Sequence, residues 1–154
     1  MGKKSIQLLV VDDQSIVRKG ICALLEQVED IDVIGEATDG EEAVTQADKL
    51  HPDVILMDIR LKGEMDGISA AQEIRRRFRL PVIFLTAYSE DSTLERAKLA
   101  EPYGYLLKPF DDQEVKSTIE IALHRHAVEE EMRRLNRLYD VLSQVNQAVV
   151  RLKS

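Results

Sequence analysis

The sequence predicts a doubly wound α/β fold. Five short apolar runs recur along it, at Ile6–Val11, Val33–Ala37, Val54–Met57, Val82–Thr86 and Tyr103–Leu107. Most are continuous rather than alternating, as strands buried on both faces of a parallel sheet require. Helical patterns lie between them, and this alternation builds a parallel sheet with right-handed crossovers.

Each helix has its own signal. In the first, Val17, Ile21, Leu24, Leu25 and Val28 share one face. The second begins at Thr38-Asp-Gly-Glu41, a capping-box spacing, and stops before Pro52. The third runs from about Asp66 to Phe78 with Ile68, Ala71 and Ile74 inward, and Pro81 follows. The fourth begins near Ser89 and ends before Pro102. The last runs from about Gln113 to Leu152 without a Gly or a Pro. Such a helix would extend about 60 Å, far more than a domain of this size needs. In its second half Leu135, Leu138, Leu142, Val145, Val149 and Leu152 alternate in steps of three and four, a heptad seam. A second seam, Ile121, Val128, Met132, Leu135, Tyr139 and Leu142, overlaps it with a change of phase. Pairing with a second copy through this helix is therefore expected, although an amphipathic helix could also fold back as core.

The composition, 44% apolar and 32% charged over 154 residues, suits a domain with a sizeable core. The net charge of −7 argues against direct nucleic-acid binding, which needs a basic face. Cys22 is the single cysteine, so no internal disulfide forms, and its place in an apolar-patterned helix points to packing. The opening MGKKSIQ has no signal-peptide run, and Ile6 breaks the myristoylation pattern. No apolar stretch reaches membrane-spanning length, so a soluble, cytoplasmic chain is expected.

Ligands of open parallel sheets bind beyond the carboxyl ends of the strands. Here the first strand ends in Asp12-Asp13, the third in Asp58, the fourth in Thr86 and the fifth in Lys108. Each residue alone has an ordinary reading; Asp12-Asp13, for instance, could cap the next helix. Together, three carboxylates, a hydroxyl and an ammonium on one edge point to a cation. Mg²⁺ prefers carboxylate oxygens, water and phosphoryl oxygens, and three close carboxylates repel without it. Asp58 could then act as a nucleophile in aspartyl-phosphate chemistry, with Lys108 balancing charge.

This set resembles the receiver domain of two-component response regulators over roughly residues 5–125, leaving 126–154 as a helical coiled-coil linker that continues the last helix. The resemblance implies a flavodoxin-like five-stranded sheet of order 2-1-3-4-5. It implies that Asp58 is the phosphoacceptor. Mg²⁺ would be bound by Asp12, Asp13, Asp58 and the backbone carbonyl of Arg60. Thr86 would contact the phosphoryl group, Lys108 would pair with it, and the Lys108–Pro109 bond would be cis. Tyr105 matches an aromatic that moves with Thr86 on activation. A histidine kinase or histidine phosphotransfer protein would supply the phosphoryl group. The first helix, around Ile16–Glu26, would dock that partner, and the region from Ser89 to the last helix would carry the output. On this reading the chain is a regulatory switch, not an enzyme. It is expected either as a piece of a longer protein or as a stand-alone dimeric regulator.

The sequence departs from the family in the loop after the phosphoacceptor. Lys62 stands four residues after Asp58 where a proline is common, and Asp66-Gly67 come one residue late. Arg60 and Tyr88, each two residues beyond a site residue, are expected to hinder the hydrolytic water and slow phosphoryl loss. Arg60 also argues against a phosphohydrolase, which would want an acid at that position. A constitutive dimerisation module with a vestigial pocket is the alternative. His124 and His126 are two apart and do not share a helix face, so they make no metal pair.

Overall fold

A computed structural model of the chain describes residues 4–87 and 91–153, the side chains of 91–94 excepted. Its elements are β1 (Ile6–Val11), α1 (Ser15–Glu26), β2 (Ile31–Ala37), α2 (Gly40–Leu50), β3 (Val54–Asp58), α3 (Gly67–Phe78), β4 (Val82–Thr86), α4 (Asp91–Leu99), β5 (Gly104–Leu107) and α5 (Asp112–Lys153). The strands form one parallel sheet of order β2-β1-β3-β4-β5. The chain steps from β1 outward to β2 and then crosses back to β3, so the β1/β3 boundary is where the winding reverses. Ligands of this sheet type sit at that boundary.

Successive strand residues face opposite sides of the sheet, and each side is covered. On one, Leu9, Val11, Ile55, Met57 and Phe84 pack with Ala43 and Ala47 of α2, Ile68 and Ile74 of α3 and Ala97 of α4. On the other, Leu8, Val10, Leu56, Ile83 and Leu85 pack with Ile21 and Leu25 of α1 and Val115, Ile119 and Ala122 of α5. Two-sided burial is why β3, β4 and the Leu8–Val11 part of β1 read as unbroken apolar runs. The edge strand β2 begins at Ile31, two residues before its apolar run, because an edge tolerates the exposed Asp32.

The capping of α2 lies one residue later than its sequence spacing suggested. Asp39 is the N-cap and accepts the Glu42 N–H at 2.7 Å, while the Glu42 carboxylate takes the Thr38 hydroxyl at 2.9 Å. The helix ends on His51 in the left-handed conformation, ahead of Pro52. Helix α4 runs Asp91–Leu99; the expected start at Ser89 lies outside the described residues.

Asp66 caps α3, accepting the Ser69 N–H at 2.8 Å, and pairs with Arg96 of α4 at 3.0 Å. Partial burial opposes its charge, but these bonds outweigh that and hold its carboxyl below the usual range. Asp66→Ala is expected to cost about 1 kcal/mol, the ordinary value of such a cap. A depressed folded pKa means the contribution is complete above the unfolded value near 4 and disappears as pH falls through the folded one. Urea denaturation of both proteins from pH 7 to pH 2.5 should therefore show the difference shrinking only at the acid end.

By contacts the chain divides into two compact units, Met1–Leu123 and His124–Ser154. In the second, α5 continues as helix through Lys153. Among the described residues, no helix is long and apolar enough to cross a membrane.

Candidate functional site

The parallel sheet delivers every strand to one edge with its carboxyl end outward. Asp12 follows β1 and is fully buried, with its N–H bonded to the Ala37 carbonyl at 3.1 Å. Asp58 closes β3, directly beside β1. Thr86 closes β4 and is buried, and Lys108 follows β5 with its N–H on the Thr86 carbonyl at 2.8 Å. The Lys108–Pro109 bond is cis, as the resemblance implies.

Lys108 joins the two aspartates. Its ammonium donates to Asp12 Oδ2 at 2.9 Å and to Asp58 Oδ2 at 3.2 Å. The second oxygens are held by backbone: Asp12 Oδ1 accepts the Gln14 N–H at 2.9 Å, and Asp58 Oδ1 the Arg60 N–H at 3.0 Å. Neither carboxylate caps α1, whose N-cap is Gln14 with no side-chain bond, so the plain capping reading of Asp12-Asp13 fails. Burial raises the Asp58 pKa, and the Asp12 charge adds to this against the opposing pull of Lys108 and the Arg60 N–H. Burial works against the Lys108 charge, but the Asp12 bond and the two carboxylate charges outweigh it and raise its pKa.

Asp13 completes the cluster. One oxygen from each of Asp12, Asp13 and Asp58 lies within 4.8 Å of the others. Octahedral Mg²⁺, with oxygens at about 2.1 Å, sets neighbouring ligands roughly 3 Å apart and opposite ones roughly 4.2 Å apart. The three carboxylates therefore fit a hard divalent ion after a small inward movement. A cleft of about 490 Å³ opens over them, lined by Asp13, Asp58, Arg60, Thr86 and Lys108 among others. Tyr105 lies to one side on β5, exposed, with its ring tilted against Phe84 at 6.2 Å between centroids. Tyr88 lies outside the described residues, so only Arg60 of the two expected hindering residues is placed at the cleft.

The long loop after Asp58 is firmly seated. Ile59 and Leu61 are buried, and the Gly67 N–H closes the loop on the Ile59 carbonyl at 3.1 Å. The loop turns at Gly63, where φ is +106° and no atom lies within 4 Å of a notional Cβ. Two supports were not read from the sequence. Arg18 of α1 donates to the Asp12 carbonyl at 2.9 Å and pairs with Glu36 at 2.9 Å. The signal for it was a charged residue next to the core-facing stripe of α1. Gly67 looked like a helix start, yet it touches the backbone of the proposed nucleophile: a Cβ there would meet the Asp58 carbonyl oxygen at 2.0 Å.

The family model for the response regulator receiver domain matches residues 8–120. The chain belongs to that family. Among curated receiver relatives, the transcriptional regulatory protein LiaR of Bacillus subtilis is 43% identical, over 76% of this chain and 56% of its own. The transcriptional regulatory protein PdtaR of Mycobacterium tuberculosis is 36% identical, over 77% of this chain and 57% of its own. The chain thus spans little more than half the length of these relatives. A crystal structure of the signal receiver domain of a modulated diguanylate cyclase from Desulfovibrio desulfuricans superposes with a TM-score of 0.77. It shares 36% identity and covers 82% of this chain and 99% of that one.

Proposed function

We propose that this receiver accepts a phosphoryl group on Asp58 and works as a signalling switch rather than as an enzyme. The supporting observation is the single ammonium of Lys108 bonded to both Asp12 and Asp58 at the strand edge, with Asp13 completing a three-carboxylate cluster. Asp12, Asp13 and Asp58, with the Arg60 carbonyl, would hold Mg²⁺. That ion supplies charge neutralisation for the incoming phosphoryl oxygens.

The rest of the chemistry falls to the chain. An Asp58 carboxylate oxygen forms the new P–O bond as the bond to the donor's leaving group breaks. The Arg60 N–H fixes the orientation of the carboxylate. Lys108 is already at the oxygen it must share and can turn toward a phosphoryl oxygen. The Thr86 hydroxyl, which donates to the Ala87 carbonyl at 3.2 Å, can redirect to the same group. Movement of Thr86 would open room for Tyr105 to turn inward from its exposed position. The donor is a histidine kinase or a histidine phosphotransfer protein. Residues 126–154 are the coiled-coil linker, which passes the change to an output module or partner and pairs two copies of the chain.

Incubation with acetyl phosphate and Mg²⁺, read by intact mass, tests the phosphoacceptor. One phosphoryl adduct is expected, absent in Asp58→Asn and after EDTA. An adduct that persists in Asp58→Asn would overturn the assignment of Asp58.

A further inference from the structure

In the second unit α5 exposes a stripe of apolar side chains seven residues apart: Val128, Leu135, Leu142 and Val149, between 43% and 55% exposed. This stripe belongs to two different heptad seams. Four residues after its members come Met132, Tyr139, Asn146 and Lys153. Three residues after them come Glu131, Leu138, Val145 and Leu152. At about 100° per residue, the flanks lie about 40° to one side and about 60° to the other, so the two seams are centred about 50° apart.

Neither seam is good along its whole length. The seam through Met132 and Tyr139 is apolar at its start and meets Asn146 and Lys153 later. The seam through Leu138, Val145 and Leu152 is apolar at its end and meets Glu131 earlier. A straight pair of helices buries one seam at a time. Each arrangement therefore keeps the shared stripe and loses apolar burial at one end.

The chemistry of the stripe fits a second copy of this chain. Self-pairing in parallel sets each stripe residue against its own counterpart. In the Met132/Tyr139 register Asn146 meets Asn146 across the seam, a pairing that favours parallel, in-register dimers. From Met132 to Leu152, the positions flanking the seam bring no like charges together in either register: Arg134 faces Tyr139 in one, and Leu138 faces Ser143 in the other. Arg133 pairs with Glu130 and Arg134 with Glu131 within the helix, so these charges, that of Glu131 on the second seam included, are already balanced.

We propose that residues 124–153 pair in parallel with the same segment of a second copy, and that this pair has two registers related by a rotation of about 50° of each helix about its axis. The proposal rests on the phosphoacceptor reading for its regulation: a phosphoryl group on Asp58 shifts the balance between the registers. A rotation of the pair, rather than its assembly, is then what an attached module reads.

Single cysteines in a Cys22→Ala background, oxidised in the 154-residue chain, test this. Leu142→Cys and Val149→Cys lie on the shared stripe and should both cross-link. Leu138→Cys reports one register and Tyr139→Cys the other; both should cross-link at least fivefold above Asp140→Cys, which lies off both seams. Acetyl phosphate with Mg²⁺ should change the ratio of the 138 to the 139 product by at least twofold. Cross-linking at 142 without 149 would mean an antiparallel crossing and overturn the proposal. So would cross-linking at only one of 138 and 139, or none above the Asp140→Cys level. An unchanged ratio in protein whose mass shows the adduct would overturn the coupling. An absent adduct would instead overturn the phosphoacceptor reading, and the two cross-links would still decide the registers.

Discussion

Lys108→Ala is expected to lose about 2–4 kcal/mol of stability in the absence of divalent metal. Removing one partner of a buried charge pair costs about 3–5 kcal/mol, and the partial exposure of the lysine reduces this. Its loss leaves Asp12, which has no access to solvent, beside Asp58 without the ammonium that joins them. The same variant should bind Mg²⁺ roughly tenfold more tightly, because the ion no longer competes with an ammonium for two carboxylates. Mg²⁺ should therefore raise the denaturation midpoint of Lys108→Ala more than that of the unchanged protein, by the ordinary linkage of ligand binding to stability. Phosphoryl uptake should nonetheless fall, since Lys108 can no longer meet the incoming group. Urea titrations with and without Mg²⁺ decide the matter. Equal stability and equal Mg²⁺ response in both proteins would mean that Lys108 is not the counter-ion of the cluster.

Gly67→Ala is the second large effect. Its new methyl group would fall 2.0 Å from the Asp58 carbonyl oxygen and 2.9 Å from the Ile59 Cα, both backbone atoms. Neither can turn aside as a side-chain tip could, so α3 or the end of β3 must shift. A cost of about 2–4 kcal/mol is expected, at or beyond the upper end for overpacked sites. Displacing the nucleophile should also slow phosphoryl uptake by roughly tenfold to a hundredfold, as small misplacements of reacting groups do. Gly63→Ala separates the two causes. Its backbone strain, at φ +106°, should cost about 1–2 kcal/mol, but its surroundings are open. If Gly63→Ala slowed uptake as much as Gly67→Ala, general loosening of the loop would explain both.

Fold class, strand order through the family likeness, and the residues at the strand ends were all legible in the sequence. β3, β4 and the Leu8–Val11 part of β1 are buried on both faces and are therefore apolar up to their carboxyl ends. Each polar residue ending such a run is therefore conspicuous. Parallel pairing then sends Asp12, Asp58, Thr86 and Lys108 to one edge without further information. The heptad spacing of α5 was equally plain, because a helix of that length without Gly or Pro has nothing to obscure its period.

What those residues touch became visible in the folded chain. Sequence spacing could not show that Lys108 bonds to Asp12 and Asp58 together, since they lie 96 and 50 residues away. Nor could it show that Gly67 presses on the Asp58 carbonyl or that Arg18 braces Asp12. The lengthened loop left the pocket intact because Ile59 and Leu61 anchor it in the core while it turns at the exposed Gly63. Local pattern records which face of an element is buried. Contacts between elements depend on distances of a few tenths of an ångström, and those are set only when all the layers pack at once.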